Sequence, residues 1–203
     1  MTMMQDSRFA RVIAAIDAAN ARDPHAIAVD GTPEPAELVY GRRMSEALAR
    51  MAADASEHLR IAVRGQHIER WTSPRKNYPQ GRIGYLTWRR DLLEFHARRV
   101  GEIMAAEGFG PDDIARVCSL VRKERLKSDA EAQMLEDVAC IVFLDHYLGD
   151  FMRKTEKDKL AGILAKTWNK MSPLGHDHAL KLALPARVRD LLRQGLGQLR
   201  PRR

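Results

Sequence analysis

Two histidines and an acid-free run of cations between them hold much of the chemistry offered by this 203-residue chain. From Arg70 to Arg90 the sequence reads RWTSPRKNYPQGRIGYLTWRR, with six basic residues, four aromatics and no acid. His67 precedes this stretch and His96 follows it. Guanidinium forks bind phosphate or carboxylate through paired donors, and flat rings give a planar group a stacking face. Arg70, Arg75, Arg82 and Arg89, with Tyr78 and Trp88, are therefore candidate ligand-binding residues. A ligand in this place is anionic: a phosphorylated small molecule, a nucleotide or a nucleic acid. The other reading is an ordered structural loop whose rings cap the core while the arginines face water.

The elements that must position these residues read as helices. Phe9, Val12, Ile13 and Ile16 lie on one face of a helix over Ser7–Asn20. NARDPHAIAVDGTPEPAE is a loop, and Glu37–Ala53 is a second helix. Ser56 caps a third that runs through LRIAVRGQHIERW to about Thr72. Pro74, Pro79, Gly81 and Gly84 keep Arg70–Arg90 from being one continuous helix. Thr87 then opens a helix to about Glu107, and Pro111 starts another. Asp129 or Ser128 caps a long apolar helix to about Phe151, with Leu135, Val138, Ile141, Val142 and Leu144 as its core. A helix over Lys157–Lys170, a loop SPLGHDH and a last helix near Ala186–Leu199 complete the chain. No strand alternation competes, so the fold class expected is all-α, a single helical domain over residues 1–203 with a basic tail over about 187–203.

Composition sets limits. A hydrophobic share of 45% supplies a core, and the net charge of +7 points to acidic partners. Cys118 and Cys140 sit in apolar helical patterns and read as small buried hydrophobes, with no CxxC to suggest zinc. No apolar run is long enough to span a membrane and the N-terminus has no signal-peptide core, so a cytoplasmic setting is expected. GxxxxGK[ST], GxGxxG and GxSxG are all missing. His176-Asp177-His178 is a short-range pair in a Gly/Pro context, more in keeping with a solvated or capping role than with a metal.

The order of ELVYGRRMS, LRIAVRGQHIERW, EFHARRV and AQMLEDVACIVFLD resembles the HD superfamily of helical metal-dependent phosphohydrolases, over about residues 36–150. The resemblance implies an HD-like helical arrangement with His67, Glu69, His96 and Asp137 as catalytic residues. It implies a divalent metal on His67, His96 and Asp137, with Glu69 and Glu136 as substitutes. The match departs from the family at two ligands. Tyr40 stands at the first family histidine and Ile68 at the aspartate of the His-Asp pair, which favours a pocket without metal. Lys123 and Arg125 stand where some members carry a further histidine. A lysine there would put a fixed ammonium in the place of the ion and extend the anion site.

AAIDAANARDP, QHIERW, PRKNYPQGRIGYLTWR, LEFHA, EDVACIVFL and KTWNKMSPLG resemble, over most of the chain, a widespread cytosolic family to which no activity is assigned. Some of its members carry a glutamyl-tRNA synthetase-like label. Lys170-Met171-Ser172 echoes part of the KMSKS loop of such enzymes, but neither their HIGH signature nor their parallel sheet is evident. The function expected is an HD-like helical protein that binds a phosphorylated small molecule or nucleotide and hydrolyses a phosphoester. The alternative is a non-catalytic module that binds RNA, a nucleotide or an acidic protein through residues 70–90.

Overall fold

The computed structural model describes residues 7–154, 157–186 and 188–190. The basic tail and the helix expected near Ala186–Leu199 lie almost wholly outside them. The fold is all-α apart from one short hairpin, in agreement with the helical periodicity. The chain divides into two compact units, residues 1–132 and 133–203.

In the first unit, α1 (Arg8–Asn20) is capped by Ser7, whose side chain accepts from the Ala10 N–H. It buries Val12, Ile16 and Ala19, while Phe9 and Ile13 stay half-exposed. A hairpin follows where a loop was expected. β1 (Ala26–Val29) pairs antiparallel with β2 (Thr32–Pro35). Asp30 and Gly31 make its turn, with φ of 49° and 81°. An Asp-Gly turn with both residues left-handed is the connection that suits the twist of a two-residue hairpin. α2 (Ala36–Met51) and α3 (Glu57–Gly65) come next. Ser56 caps α3 through the Leu59 N–H, as its position predicts. However, α3 ends at Gly65 and does not continue to Thr72.

The cationic stretch is a loop over only its first half. Two single 3-10 turns, Arg70–Thr72 and Arg75–Asn77, lead into α4 (Gly81–Ala106), which begins six residues before the Thr87 expected from the sequence. The glycines are compatible with helix here for specific reasons. Gly81 starts α4 at a φ of 86°, and a Cβ on Gly84 would sit 2.0 Å from the Pro79 carbonyl oxygen. The first turn of α4 thus closes against the preceding loop at a distance only glycine allows. α5 (Pro111–Arg122) has Pro111 in its first turn followed by two aspartates, which suits the helix dipole.

α6 (Ala130–Val142) enters the second unit and passes through a π-helical segment, Phe143–Tyr147, into α7 (Leu148–Lys154). Leu135, Val138, Ile141, Val142 and Leu144 are all buried, as the apolar run predicts. α8 (Lys157–Lys170) is as expected. SPLGHDH, expected as a loop, is instead the start of α9 (Pro173–Lys181), with Ser172 as N-cap and Pro173 in the first turn.

Candidate functional site

The site is built in the first unit from the start of α2, the turn after α3 and the length of α4 from its first turns to His96. Tyr40, on α2, lies flat on the His67 ring, with centroids 4.1 Å apart and planes 11° from parallel. His67 and His96 rings are 5.9 Å apart, so the two histidines do approach each other. His96 is buried, and its Nδ1 is 2.8 Å from the Ile68 carbonyl oxygen. A carbonyl only accepts, so Nδ1 carries the proton and donates, which leaves Nε2 as an acceptor. Nε2 is buried and has no partner among the described residues. Burial holds the His96 pKa down at about 3, helped by His67 and opposed by the Ile68 hydrogen bond. His67 is also held well below the usual imidazole range, by loss of water and then by Arg70, Lys123 and Arg89. Both rings are therefore neutral at physiological pH.

Glu37, one turn before Tyr40 on the same face of α2, is the acid of this cluster. Its Oε2 is 3.6 Å from His67 Nδ1. Burial pushes its pKa up to about 7; Arg70 opposes the rise, Asp23 adds to it and His25 opposes it. Because His67 is neutral, the contact is not an ion pair. The Asp23 carboxylate fixes the start of α2 from below, accepting from the Glu37 backbone N–H at 3.0 Å and binding His25. Beside this, Gln66 donates to the Tyr40 hydroxyl at 3.3 Å, and its own Oε1 is buried without a partner among the described residues.

The arginines of the stretch divide by what they touch. Arg75 donates to the carbonyls of Tyr78 at 2.9 Å, Pro79 at 2.8 Å and Gly81 at 3.4 Å. Its guanidinium, expected as a phosphate clamp, is engaged in closing the loop. Trp88 donates to the Ser73 carbonyl at 2.9 Å and carries Arg70 over its face at 4.9 Å. Tyr78 is half-buried, with its hydroxyl 3.5 Å from Ser73 Oγ. Arg82 is exposed, and Arg89 reaches the Tyr85 hydroxyl at 3.4 Å. Lys123 ends α5 in a left-handed conformation, φ 58°, and its charge acts on His67. Arg70 differs from Arg75. Among the described residues its guanidinium makes no hydrogen bond and no ion pair. Partial burial lowers its pKa, while Glu37 acts on it from a distance and raises it.

Two of the expected catalytic acids are engaged elsewhere. Glu69 is buried, accepting from Arg22 at 2.7 Å on one oxygen and from Arg99 at 2.7 Å on the other. Asp137 belongs to the second unit. One of its oxygens accepts from the Ser172 backbone N–H at 2.8 Å and from Gln133 at 3.0 Å, and the other from the Ser172 hydroxyl. A Cβ on Gly175 would sit 2.7 Å from that carboxylate. Asp137 therefore pins the N-terminus of α9, and Lys170-Met171-Ser172 leads into a helix cap. His176 stacks on Trp168 at 3.8 Å and uses Nε2 on the Trp168 carbonyl, so it has a packing role.

A metal does not fit these residues. Among the described residues no three His, Cys, Asp or Glu side chains converge as an ion requires. The divalent ion expected on His67, His96 and Asp137 has no such group to hold it among the described residues. Tyr40 covers one face of His67, Ile68 is wholly buried and apolar, and the Asp137 oxygens are satisfied by Ser172 and Gln133. Glu37 carries no motif that singles it out in the sequence, although its spacing from Tyr40 places both on one helix face.

Residues 10–192 match the model of a family described as a domain of unknown function, DUF4202, and the chain belongs to that family. No curated protein matches the chain, and no solved structure matches it. None of these findings carries the HD or the synthetase-like resemblance. Among the described residues no helix is long and apolar enough to cross a membrane.

Proposed function

We propose that this chain binds a phosphorylated small molecule or nucleotide beside His67, with Arg70 as the anchor and Arg89 and Lys123 supplying further positive charge. One observation carries the reading. Arg70 is partly withdrawn from water, yet its five donors have no hydrogen-bonded acceptor among the described residues. A half-buried guanidinium normally has acceptors for its donors, because leaving them unmet is costly. A phosphate oxygen pair meets that need. The neutral His67 and the Glu37 carboxyl, which titrates at about 7, supply a proton acceptor and donor next to the anchor. That supports phosphoester hydrolysis by water at the same place.

The test is titration calorimetry of the wild type and Arg70→Ala with inorganic phosphate and with adenosine monophosphate. Wild-type affinity should fall as salt rises, and Arg70→Ala should weaken binding about tenfold or more. Equal affinity in the two proteins, or no binding by the wild type, overturns the proposal. A second reading rests on the outer face of α4. Ile83 is 83% exposed and Leu86 53% exposed, among Arg82, Arg89 and Arg90. That pattern favours an acidic protein partner, and a stable complex with no phosphate binding would support it instead.

A further inference from the structure

We infer that Glu37 reads a hydroxyl group next to the ligand's phosphate, so that the ligand class is a phosphate monoester of a polyol, sugar or nucleoside. The inference rests on the phosphate reading above. Glu37 and Arg70 act on each other as opposite charges, and Glu37 approaches His67 while the charge of Arg70 acts on it, yet no ion pair joins the two. Apart from the 3.6 Å approach to His67, the Glu37 carboxyl has no side-chain partner among the described residues, although only 16% of its side chain is exposed. The Arg70 backbone N–H donates to the His67 carbonyl at 3.1 Å and the Glu37 carboxyl approaches the ring of the same residue, so a single molecule beside His67 presents an anion to one and a donor to the other.

The charges decide what that molecule is. A bare phosphate dianion held by Arg70 would be repelled by an ionised Glu37. A hydroxyl placed between them removes the conflict by donating to the carboxylate, a charge-assisted bond. The groups facing Glu37 are Asp23 and His25 from the segment before and at the hairpin, His67 from the turn after α3, and Arg70 from the loop that follows it. Asp23 makes the position more acidic in charge and Arg70 and His25 make it less so. None of the four is hydrogen-bonded to the Glu37 carboxyl. The site therefore offers an acceptor and a guanidinium to a single ligand, whereas a surface that collected phosphate by charge alone would have no use for the acid.

The experiment compares glycerol phosphate with propyl phosphate, two monoesters of similar size and charge that differ in their hydroxyls. Binding is measured by calorimetry on the wild type, Glu37→Leu, Glu37→Gln and Arg70→Ala at neutral pH. The wild type should prefer glycerol phosphate about tenfold, the worth of one hydrogen bond to a charged acceptor. Glu37→Leu should abolish the preference and keep its affinity for propyl phosphate. Glu37→Gln, which keeps an amide oxygen, should restore part of it. Equal binding of the two esters, both weakened by Arg70→Ala, overturns the hydroxyl reading and leaves the phosphate site standing. A preference that survives in Glu37→Leu overturns it as well. Failure of the wild type to bind either ester overturns both readings together.

Discussion

Arg70 and Arg75 stand five positions apart in one loop, and exchanging each for alanine should give opposite results. Arg75 donates three hydrogen bonds to carbonyls at 2.9, 2.8 and 3.4 Å. Bonds from a charged donor contribute about 1.5–3 kcal/mol when buried. Here two of the three are exposed and the freed carbonyls regain water, which reduces the loss in Arg75→Ala to about 1–2 kcal/mol. For a chain of this length that corresponds to a drop in Tm of roughly 2–8 °C. Arg70→Ala removes no hydrogen bond. It loses a contact with the Trp88 face worth about 0.5–1 kcal/mol and relieves a partly desolvated cation, so the net change is within about 1 kcal/mol. Binding should separate the two in the reverse sense, with phosphate affinity lost in Arg70→Ala and nearly kept in Arg75→Ala. Urea unfolding with constant slope, run beside phosphate calorimetry, reads both quantities. Arg75→Ala that melts like the wild type but no longer binds phosphate would refute the division of roles.

Two further outcomes follow from packing and ionisation. Gly175→Ala should destabilise the protein by about 1–3 kcal/mol, because its Cβ would meet the Asp137 carboxylate at 2.7 Å; an unchanged urea midpoint would contradict the anchoring of α9. Glu37 holds its proton in the folded state up to about 7, against 4.5 ordinarily, so its contribution to stability is full below about 4.5 and is lost as pH rises to about 7. His96 works on the acid side: its pKa of about 3 against 6.5 means that stability is lost as pH falls from 6.5 towards 3. Glu37→Gln should therefore gain about 1–3 kcal/mol on the wild type at alkaline pH and little or nothing in acid, and parallel stability curves for the two proteins would contradict this.

The helices were legible because their signals are local. Ser7, Ser56 and Pro111 start helices where capping chemistry puts them. The same grammar was present in Ser172-Pro173, but the glycine and histidines that follow suggested a loop, and only the packing of Gly175 on Asp137 explains why a helix tolerates them. Asp30-Gly31 was a hairpin signal, obscured by four-residue strands with Pro33 and Pro35 in the second. The start of α4 was misplaced because Gly84 reads as a breaker in sequence and is a close-approach residue in space.

The site was legible only in part, and the reason lies in how charge is balanced. Six cations without an acid in Arg70–Arg90 must each find negative charge or water. Sequence treats them alike, since the answer comes from elsewhere in the fold. Arg75 finds it in the carbonyl dipoles of its own loop and Arg90 in Asp91. Lys76 and Arg82 find water. Arg70 is held against Trp88 and partly out of water, where the acid that acts on it, Glu37, is itself driven towards its neutral form by burial. Neither residue neutralises the other, and a fold under selection for stability alone would have joined or removed them. Left without an ion pair beside His67, the two groups cost stability in the free protein, and an anion with a neighbouring donor is the partner that would offset that cost.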